Sequence, residues 1–361
     1  MRISSIDIGT NTILLLIVEA KGGKIARVLH DEQVIARLGK GVDEHRMINS
    51  ETANRVAEFL YSYRGTSHKY RSEKIIAVGT SALRDASNKR EFCDDMLQRT
   101  GVEIEILSGD DEAEWTYRGA LGAAGSGAQF FTVLDIGGGS TEIISGTSKT
   151  LSQKVSLDVG CVRLTERFLR TSPPTSHEIS ECRSFIRSNL SIVGLTQSRN
   201  SCVIGVAGTL TTLAAIHLRL THYDPSRVEG CVLEREAVGR IFDQLRMKTH
   251  EEIMRVPQIS PGRADILLAG MIILQEFMEA ANLGKITVSD RGLRYGIILR
   301  ELQRNVSNQG NAADRIRTFD DVNVSSRTPG AIPLNVSCDL AGIGVFTLHL
   351  FAAMRFPPAS K

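Results

Sequence analysis

Two segments of the chain, centred on Asp7 and Asp135 and 128 residues apart, carry nearly the same pattern. Residues 5–12 read SIDIGTNT, residues 134–142 read LDIGGGSTE, and each segment runs into a second apolar stretch. This pattern predicts a strand, a tight turn and another strand, and glycine lets the turn amides approach an anion closely. Two copies, each with an aspartate at the strand end, indicate a duplicated domain that binds phosphates between its halves.

Length, composition and charge narrow the class of protein. A chain of 361 residues favours two domains, and 42% hydrophobic with 23% charged residues is typical of a globular protein. The net charge of +2 gives no electrostatic case for nucleic acid, so we expect no such partner. The six cysteines form no Cys-x-x-Cys pair, which argues against a zinc site and favours reduced thiols in a cytoplasmic protein.

The apolar stretches near the two ends are too short or too interrupted to predict membrane spans. Asp7 breaks the first stretch, which does not resemble a signal peptide, and residues 13–18 fall short of the ~20 that a spanning helix needs. Residues 340–356 are apolar, but His349 and two glycines interrupt them. We expect no membrane partner and a disordered tail at 305–361, with a membrane anchor there as the alternative.

Strands and helices alternate along the rest of the chain, which predicts an α/β layered fold. The predicted strands include 74–78, 102–106, 130–134, 202–206 and 286–288, and the predicted helices include 176–190, 267–281 and 293–302. Asn88 and Glu91 fit a capping box at the start of a further helix. Small residues at 122–127 suggest a hinge between one domain at 1–124 and a second at 125–304. The last helix is a candidate to pack back on the first domain.

Five segments place small or polar residues just after an apolar strand. They are residues 7–12, 79–84, 135–142, 207–212 and 289–292. In an α/β sheet, ligands bind beyond the strand ends, where backbone amides and hydroxyls can hold phosphate oxygens. The candidate phosphate-binding residues are Thr10, Asn11, Thr12, Gly137, Gly138, Gly139, Ser140, Gly208 and Thr209.

Six motifs together resemble the exopolyphosphatase/guanosine pentaphosphatase family, in that family's order, over residues 1 to about 303. They are DIGTNT (7–12), GTSALRDA (79–86), LSGDDEA (107–113), DIGGGSTE (135–142), GCVRLTE (160–166) and SDRGLR (289–294). The resemblance implies two actin-like, ribonuclease-H-like domains with the active site in the cleft between them. It also implies hydrolysis of a terminal phosphate from polyphosphate or guanosine pentaphosphate, assisted by Mg²⁺ or another divalent cation. The chain resembles a short form, without the helical C-terminal region of longer members.

The resemblance implies that Glu112 is the glutamate that activates water. Phosphoryl transfer to water needs a carboxylate that orients the nucleophile, which makes this role chemically reasonable. A helix that begins near Asp110 would lower the pKa of Glu112 and hold its orientation. The alternative is that Asp110, Asp111 and Glu112 only cap that helix.

The resemblance also supplies a catalytic arginine and two metal ligands. Arg84 is implied to grip phosphate oxygens with its planar guanidinium, and the alternative is a surface ion pair with Asp85 or Glu91. Asp135 and Glu142 are implied to bind the metal, and hard carboxylate oxygens suit Mg²⁺. The alternative is a strand-end aspartate that accepts hydrogen bonds from turn amides. Asp7 is a further candidate for metal or water, while the roles of Arg163 and Arg294 are left open.

Departures from the family pattern and other functions are weighed against this interpretation. Glu114 stands where many members carry arginine, which would add negative charge beside a polyanion path. A phosphotransferase of the same superfamily and a non-catalytic protein that binds polyphosphate or an alarmone are the alternatives. The sequence ranks neither polyphosphate nor guanosine pentaphosphate first, and it leaves a homodimer open.

Overall fold

The computed structural model describes residues 1–123, 129–191 and 201–305. These residues form two β-sheets with helices packed against them. The expected domain boundary at 124, most of the expected hinge at 122–127, and the expected tail beyond residue 305 lie outside the described residues, so they stay predictions. Among the described helices, none is long and apolar enough to cross a membrane.

The first sheet contains five strands in the order β3-β2-β1-β4-β5. They are β1 (Arg2–Ile8), β2 (Thr12–Lys21), β3 (Lys24–Ile35), β4 (Lys74–Gly79) and β5 (Ile104–Ile106). Strands β1, β2 and β3 are antiparallel, and β4 and β5 continue the sheet in parallel with β1. The helices of this part of the chain are α1 (Val42–His45), α2 (Ser50–Lys69), α3 (Ser81–Asp85), α4 (Lys89–Thr100) and α5 (Gly109–Ala120).

The second sheet contains six strands in the order β10-β11-β9-β6-β7-β8. They are β6 (Phe130–Ile136), β7 (Thr141–Gly146), β8 (Leu151–Leu157), β9 (Ser201–Val206), β10 (Val232–Glu234) and β11 (Lys285–Val288). The helices are α6 (Cys161–Phe168), α7 (Ser176–Leu190), α8 (Ala207–His217), α9 (Pro225–Val228), α10 (Arg235–Leu245), α11 (His250–Met254), α12 (Leu267–Ala280) and α13, which covers 293–305.

The two sheets repeat one topology, as the duplicated sequence pattern predicts. Strands β8-β7-β6-β9-β11 correspond in order and direction to β3-β2-β1-β4-β5. Asp7 and Asp135 occupy equivalent places, each one residue before the end of the first strand of its sheet. The fold is therefore the actin-like, ribonuclease-H-like α/β fold expected from the sequence.

Helices α5 and α13 each pack on the sheet that the other half of the chain forms. The apolar face of α5, which includes Ala113 and Tyr117, packs on the second sheet, whereas α13 packs on the first. We call the first sheet with α1–α4 and α13 the first lobe, and the second sheet with α5–α12 the second lobe. The two helices cross at glycines, because a Cβ on Gly296 would lie 1.9 Å from the carbonyl oxygen of Trp115.

One predicted helix start is wrong in its detail. Helix α4 begins after Asn88, but the Asn88 side chain makes no cap hydrogen bond. Its Oδ1 instead accepts from the backbone N–H of Ile48 at 3.0 Å, and its Nδ2 donates to the Ile48 carbonyl at 2.9 Å. The side chain therefore fixes the loop between α1 and α2, since a tertiary partner competes with the local cap.

Candidate functional site

The carboxyl ends of the central strands of both sheets open into one cavity of about 240 Å³. Its lining includes every candidate phosphate-binding residue, together with Asp7, Glu112 and Asp135. Asp7 and Arg294, 287 positions apart in sequence, both line it, because the repeated topology directs the strand-end loops of both lobes to the same place. The two remaining candidates, Arg84 and Glu142, contact lining residues, because Arg84 bonds Glu112 and Glu142 bonds Ser140.

The two Asp-Ile-Gly segments form the same turn. The Gly9 N–H donates to the Thr12 carbonyl at 3.0 Å, and the Gly137 N–H donates to the Ser140 carbonyl at 3.0 Å. The turns also touch each other across the cavity, because a Cβ on Gly138 would lie 2.8 Å from the Cβ of Thr10. The predicted strand–turn–strand units are confirmed, and glycine is required where the turns meet.

Two of the candidate polar side chains already have partners within the protein. Asn11 Nδ2 donates to the Gly262 carbonyl of the second lobe at 3.3 Å. The hydroxyl of Thr209 packs against helix α12, where a Cβ on Gly270 would lie 2.2 Å from its oxygen. These two residues therefore offer a ligand mainly their backbone, whereas their side chains hold the walls of the cavity.

Arg263 is a cleft residue that sequence reasoning missed. It belongs to a single 3-10 turn, Pro261–Arg263, rather than to a loop that follows a strand. Its guanidinium lies against Gly208, where a Cβ would lie 0.9 Å from Nη1, and its Nη2 donates to Gln33 Oε1 at 3.1 Å. Within the described ranges, Arg263 forms an ion pair with no carboxylate, so its charge is available to an anion.

The other arginine of the cavity is already neutralised. Arg294 donates to both oxygens of Asp31, at 3.1 and 3.0 Å, and to Asp290 at 2.8 Å. These charge-assisted hydrogen bonds join strand β3 of the first lobe to the segment that leads into α13. Arg294 is thus part of the scaffold beneath the cavity.

Glu112 is buried at the N-terminal end of α5 and is held by Arg84. Ser108 caps this helix by accepting from the Asp111 N–H at 3.1 Å, which confirms the predicted helix start. Arg84 Nη1 donates to Glu112 Oε2 and to the Leu107 carbonyl. Among the described residues, the ion pair of Arg84 is with Glu112 rather than with Asp85 or Glu91, the alternatives from the sequence, and Asp85 instead accepts from Arg163.

The expectation that the helix end lowers the pKa of Glu112 is also wrong. Burial raises the pKa of Glu112, and the charge and hydrogen bond of Arg84 oppose this rise only in part. The carboxylate is removed from water by the surrounding cavity wall, and that cost exceeds the stabilisation that one arginine gives.

Three further carboxyls surround Glu112 in the same buried region. Burial, with the charges of Glu112 and Asp135, raises the pKa of Asp7 to about 8. Burial and the charge of Glu112 raise the pKa of Asp135 to about 7. Glu142 lies directly across the strand pair from Asp135 and accepts from Ser156 Oγ at 2.7 Å. Its pKa is raised well above the usual range by burial and by these same neighbours.

This excess of carboxylates fits a divalent cation. In the part of the chain that the structure describes, no three His, Cys, Asp or Glu side chains form a ready-made metal site. Mg²⁺, however, usually takes one or two carboxylates and completes its shell with water and substrate phosphate. Four buried carboxyls with one arginine among them provide oxygen donors and a negative charge that a cation would relieve.

Glu114 lies away from the cavity. It accepts from Arg118 on the next turn of α5, at 3.1 and 2.9 Å, and it lines a separate surface depression with Trp115. Residues two apart on a helix do not share a face, so Glu112 and Glu114 point in different directions. The expectation that Glu114 adds charge beside the phosphate path is therefore not supported.

Comparison with known proteins places this chain in a family. The model of the Ppx/GppA phosphatase family matches residues 16–305. The chain is 35% identical over 314 residues to exopolyphosphatase 2 of Mycobacterium tuberculosis, which covers 82% of this chain and 98% of that relative.

Solved structures agree with that match. A crystal structure of the Ppx/GppA family member of Aquifex aeolicus has a TM-score of 0.72 and 31% identity, over 84% of this chain and 98% of that one. A crystal structure of an exopolyphosphatase from Cytophaga hutchinsonii has a TM-score of 0.78 and 28% identity, with the same two coverages. The chain therefore belongs to the Ppx/GppA phosphatase family.

Proposed function

We propose that the chain is a phosphatase that hydrolyses the terminal phosphoanhydride of inorganic polyphosphate, of guanosine pentaphosphate, or of both. The observation that carries the proposal is the position of Glu112. Arg84 holds it at the edge of a cavity that two phosphate-type turns also line. A kinase of the same superfamily would need a second substrate hydroxyl or carboxylate in the place where Glu112 would orient water.

Each group of the cavity has a role in this proposal. The amides of residues 9–12 and 137–140 bind phosphate oxygens, and Arg263 supplies a positive charge at the Gly208 end. Glu112 orients a water molecule toward the terminal phosphorus and accepts its proton as the new P–O bond forms. The bond from that phosphorus to the bridging oxygen breaks at the same time, so orthophosphate is released and the bridging oxygen stays on the shortened substrate. Arg84 fixes the direction of the Glu112 carboxylate.

We also propose that Asp135 and Glu142 hold a divalent cation, with Asp7 next to it. The donor set is one of hard oxygens, which suits Mg²⁺. When bound, the cation would offset the charge of the phosphate groups and of the carboxyls around Glu112.

Polyphosphate is the first substrate to test, because the relative from Mycobacterium tuberculosis is named an exopolyphosphatase. Guanosine pentaphosphate is the second, because Tyr223 and Pro225 line the same cavity and offer a flat, partly apolar surface to a base. We expect the reaction in the cytoplasm, where both substrates would be met.

The experiment is phosphate release by the purified protein from each substrate, with and without a nucleotide acceptor. Glu112→Gln should keep substrate binding and lose most turnover. Asp110→Asn is the matched control, because Asp110 lies on the same turn of α5 and its side chain is 79% exposed. Phosphate transfer to the nucleotide would support the kinase alternative, and binding without release would support the binding-protein alternative. Full activity of Glu112→Gln would contradict the proposed role.

A further inference from the structure

An ionic cluster centred on the buried side chain of Arg163 joins the two lobes just outside the cavity. It consists of Arg163 and Arg167 on helix α6 with Asp43 on α1 and Asp85 on α3. We call these four residues the Arg163 cluster. None of them lines the cavity, so the proposed reaction does not use them directly.

Helix α6 packs against the turn at residues 137–140, which we call the phosphate turn. The N–H of Cys161 donates to the Gly137 carbonyl at 2.9 Å, and the N–H of Val162 donates to the Gly138 carbonyl at 2.8 Å. Gly160, which precedes the helix, allows this approach, because a Cβ there would lie 2.3 Å from the Gly138 oxygen. Any shift of α6 would therefore move the phosphate turn.

The side chain of Arg163 bonds both lobes at once. Its Nε donates to the Gly139 carbonyl of the second lobe at 2.8 Å. Its Nη1 donates to Asp43 and its Nη2 to Asp85 at 2.6 Å, and both acids belong to the first lobe. Only 6% of the residue is exposed, so water competes weakly for these bonds.

Neighbouring contacts strengthen the Arg163 cluster. Arg167 donates to Asp43 through Nε at 2.5 Å and through Nη2 at 2.8 Å. Glu166 accepts from the backbone N–H of Gly41 at 3.0 Å. Burial would raise the pKa of Asp43, but the hydrogen bonds and charges of the two arginines outweigh it and lower that pKa. Three side chains of α6, at positions 163, 166 and 167, thus bond the loop and helix at 41–45.

The two ends of the junction lead to two parts of the proposed active site. On one side, Gly139 is held beside Ser81, where a Cβ would lie 2.5 Å from the hydroxyl oxygen. On the other side, Asp85 directly follows Arg84 in α3, and Arg84 bonds Glu112. One guanidinium therefore fixes the position of the phosphate turn relative to the helix that orients Glu112.

We propose that Arg163 is a positioning residue. It holds the two lobes together at this edge and fixes the position of the phosphate turn relative to Arg84 and Glu112. The inference rests on the proposed function for its kinetic part. Its structural part, that Arg163 holds the lobes closed at this edge, stands independently of the substrate. A displacement of about 1 Å between reacting groups can cost on the order of 100-fold in rate, so a shift of the phosphate turn relative to Glu112 should lower kcat.

Two measurements on Arg163→Gln test the proposal. The value of kcat should fall about 10- to 100-fold, while KM changes less than about threefold, because the phosphate-binding amides remain. Backbone hydrogen exchange should rise at residues 41–42 and 137–141 but not in the interior of β6. Arg163→Lys, which keeps the charge and loses the planar fork, should lie between the parent and Arg163→Gln.

Arg183→Gln is the matched control. Arg183 also donates to a buried carboxylate, Glu276, but both residues lie within the second lobe. This variant should lose stability and keep the parent kcat and the parent exchange at 41–42. An equal loss of kcat in Arg183→Gln would show that general destabilisation explains the effect and would overturn the proposal.

The remaining outcomes are also decisive. Parent kcat and parent exchange in Arg163→Gln would overturn the proposal. If that variant does not fold, Asp43→Asn removes the charge of one of the two first-lobe partners instead, and the same two expectations apply. A parent protein that releases phosphate from neither substrate would overturn the proposed function, and the exchange data alone would then decide whether Arg163 fastens the lobes.

Discussion

At the residue scale, the environment of Glu112 depends on two opposing effects. Burial raises the pKa of its carboxyl, and Arg84 lowers it. The proposed activation of water needs the ionised form, so activity should fall as the pH drops through this pKa. Because Arg84 both orients the carboxylate and favours its charged form, the pair acts as one unit.

Arg84→Gln should therefore move the acidic limb of the kcat profile to higher pH. With the lowering effect of Arg84 removed, Glu112 is protonated at a pH where the parent is ionised. Loss of orientation should also reduce kcat at neutral pH by roughly one to two orders of magnitude. Arg99→Gln is the control, because Arg99 forms an exposed ion pair with Asp95 on α4. An acidic limb that overlays the parent profile would contradict the coupling.

At the element scale, the duplicated strand pairs differ at one informative position. Asp7 lies opposite Leu14 in the first sheet, and Asp135 lies opposite Glu142 in the second. The two pairs have the same register, so the elements are equivalent and only the side chain differs. This asymmetry gives the second lobe two adjacent carboxyls.

Glu142→Leu gives the second copy the residue that the first copy has at this register. If Glu142 holds the cation, the Mg²⁺ concentration for half-maximal activity should rise about 10-fold or more. Ser145→Ala, farther along the same strand, should leave that concentration unchanged, since its hydroxyl bonds Thr132 on the neighbouring strand. Overlapping Mg²⁺ titrations of Glu142→Leu and the parent would show that Glu142 is not a ligand.

The crossing of α5 and α13 makes a second prediction at this scale. Gly296→Ala should destabilise the protein by several kcal/mol, because the added Cβ would meet the Trp115 backbone at 1.9 Å. Gly239→Ala in α10 is the control, because no described atom outside its own helix backbone and chain neighbours lies within 4 Å of the added Cβ. The free energy of unfolding of that control, measured by chemical denaturation, should rise by about 0.5–1 kcal/mol, because alanine favours a helix. Equal stabilities of the two variants would contradict the close crossing.

At the scale of the whole molecule, the buried carboxyls link stability to pH and to the cation. The pKa values of Asp7 and Asp135 are raised to about 8 and about 7, and that of Glu142 is also raised. The folded state therefore holds protons that the unfolded chain has released near pH 4. Stability without metal must fall as the pH rises toward 8.

Thermal melts in a chelator should show this fall between pH 5.5 and pH 8.5, amounting to several degrees. Added Mg²⁺ should restore stability more at pH 8.5 than at pH 5.5, because the carboxyls must lose their protons to bind it. The double variant Asp7→Asn with Asp135→Asn should show a flatter pH dependence. A melting temperature that is independent of pH in the chelator would contradict the raised pKa values.

The sequence by itself determined the local elements and the family. Strand ends, the two Asp-Ile-Gly turns and the start of α5 depend on hydrogen bonds between near neighbours, and such patterns are legible in a sequence. The repeated pattern also predicted the duplicated fold, and the family resemblance is confirmed by the match over residues 16–305.

Only the tertiary structure decided which distant groups meet. It placed Arg263 against Gly208, made Arg84 the partner of Glu112, turned Asn88 from a helix cap into a loop anchor, and packed α5 on the opposite sheet. It also raised the pKa of Glu112, which the helix end alone would have lowered. The physical reason is that burial and the charges across a cleft depend on contacts between segments far apart in the chain, which no local pattern specifies.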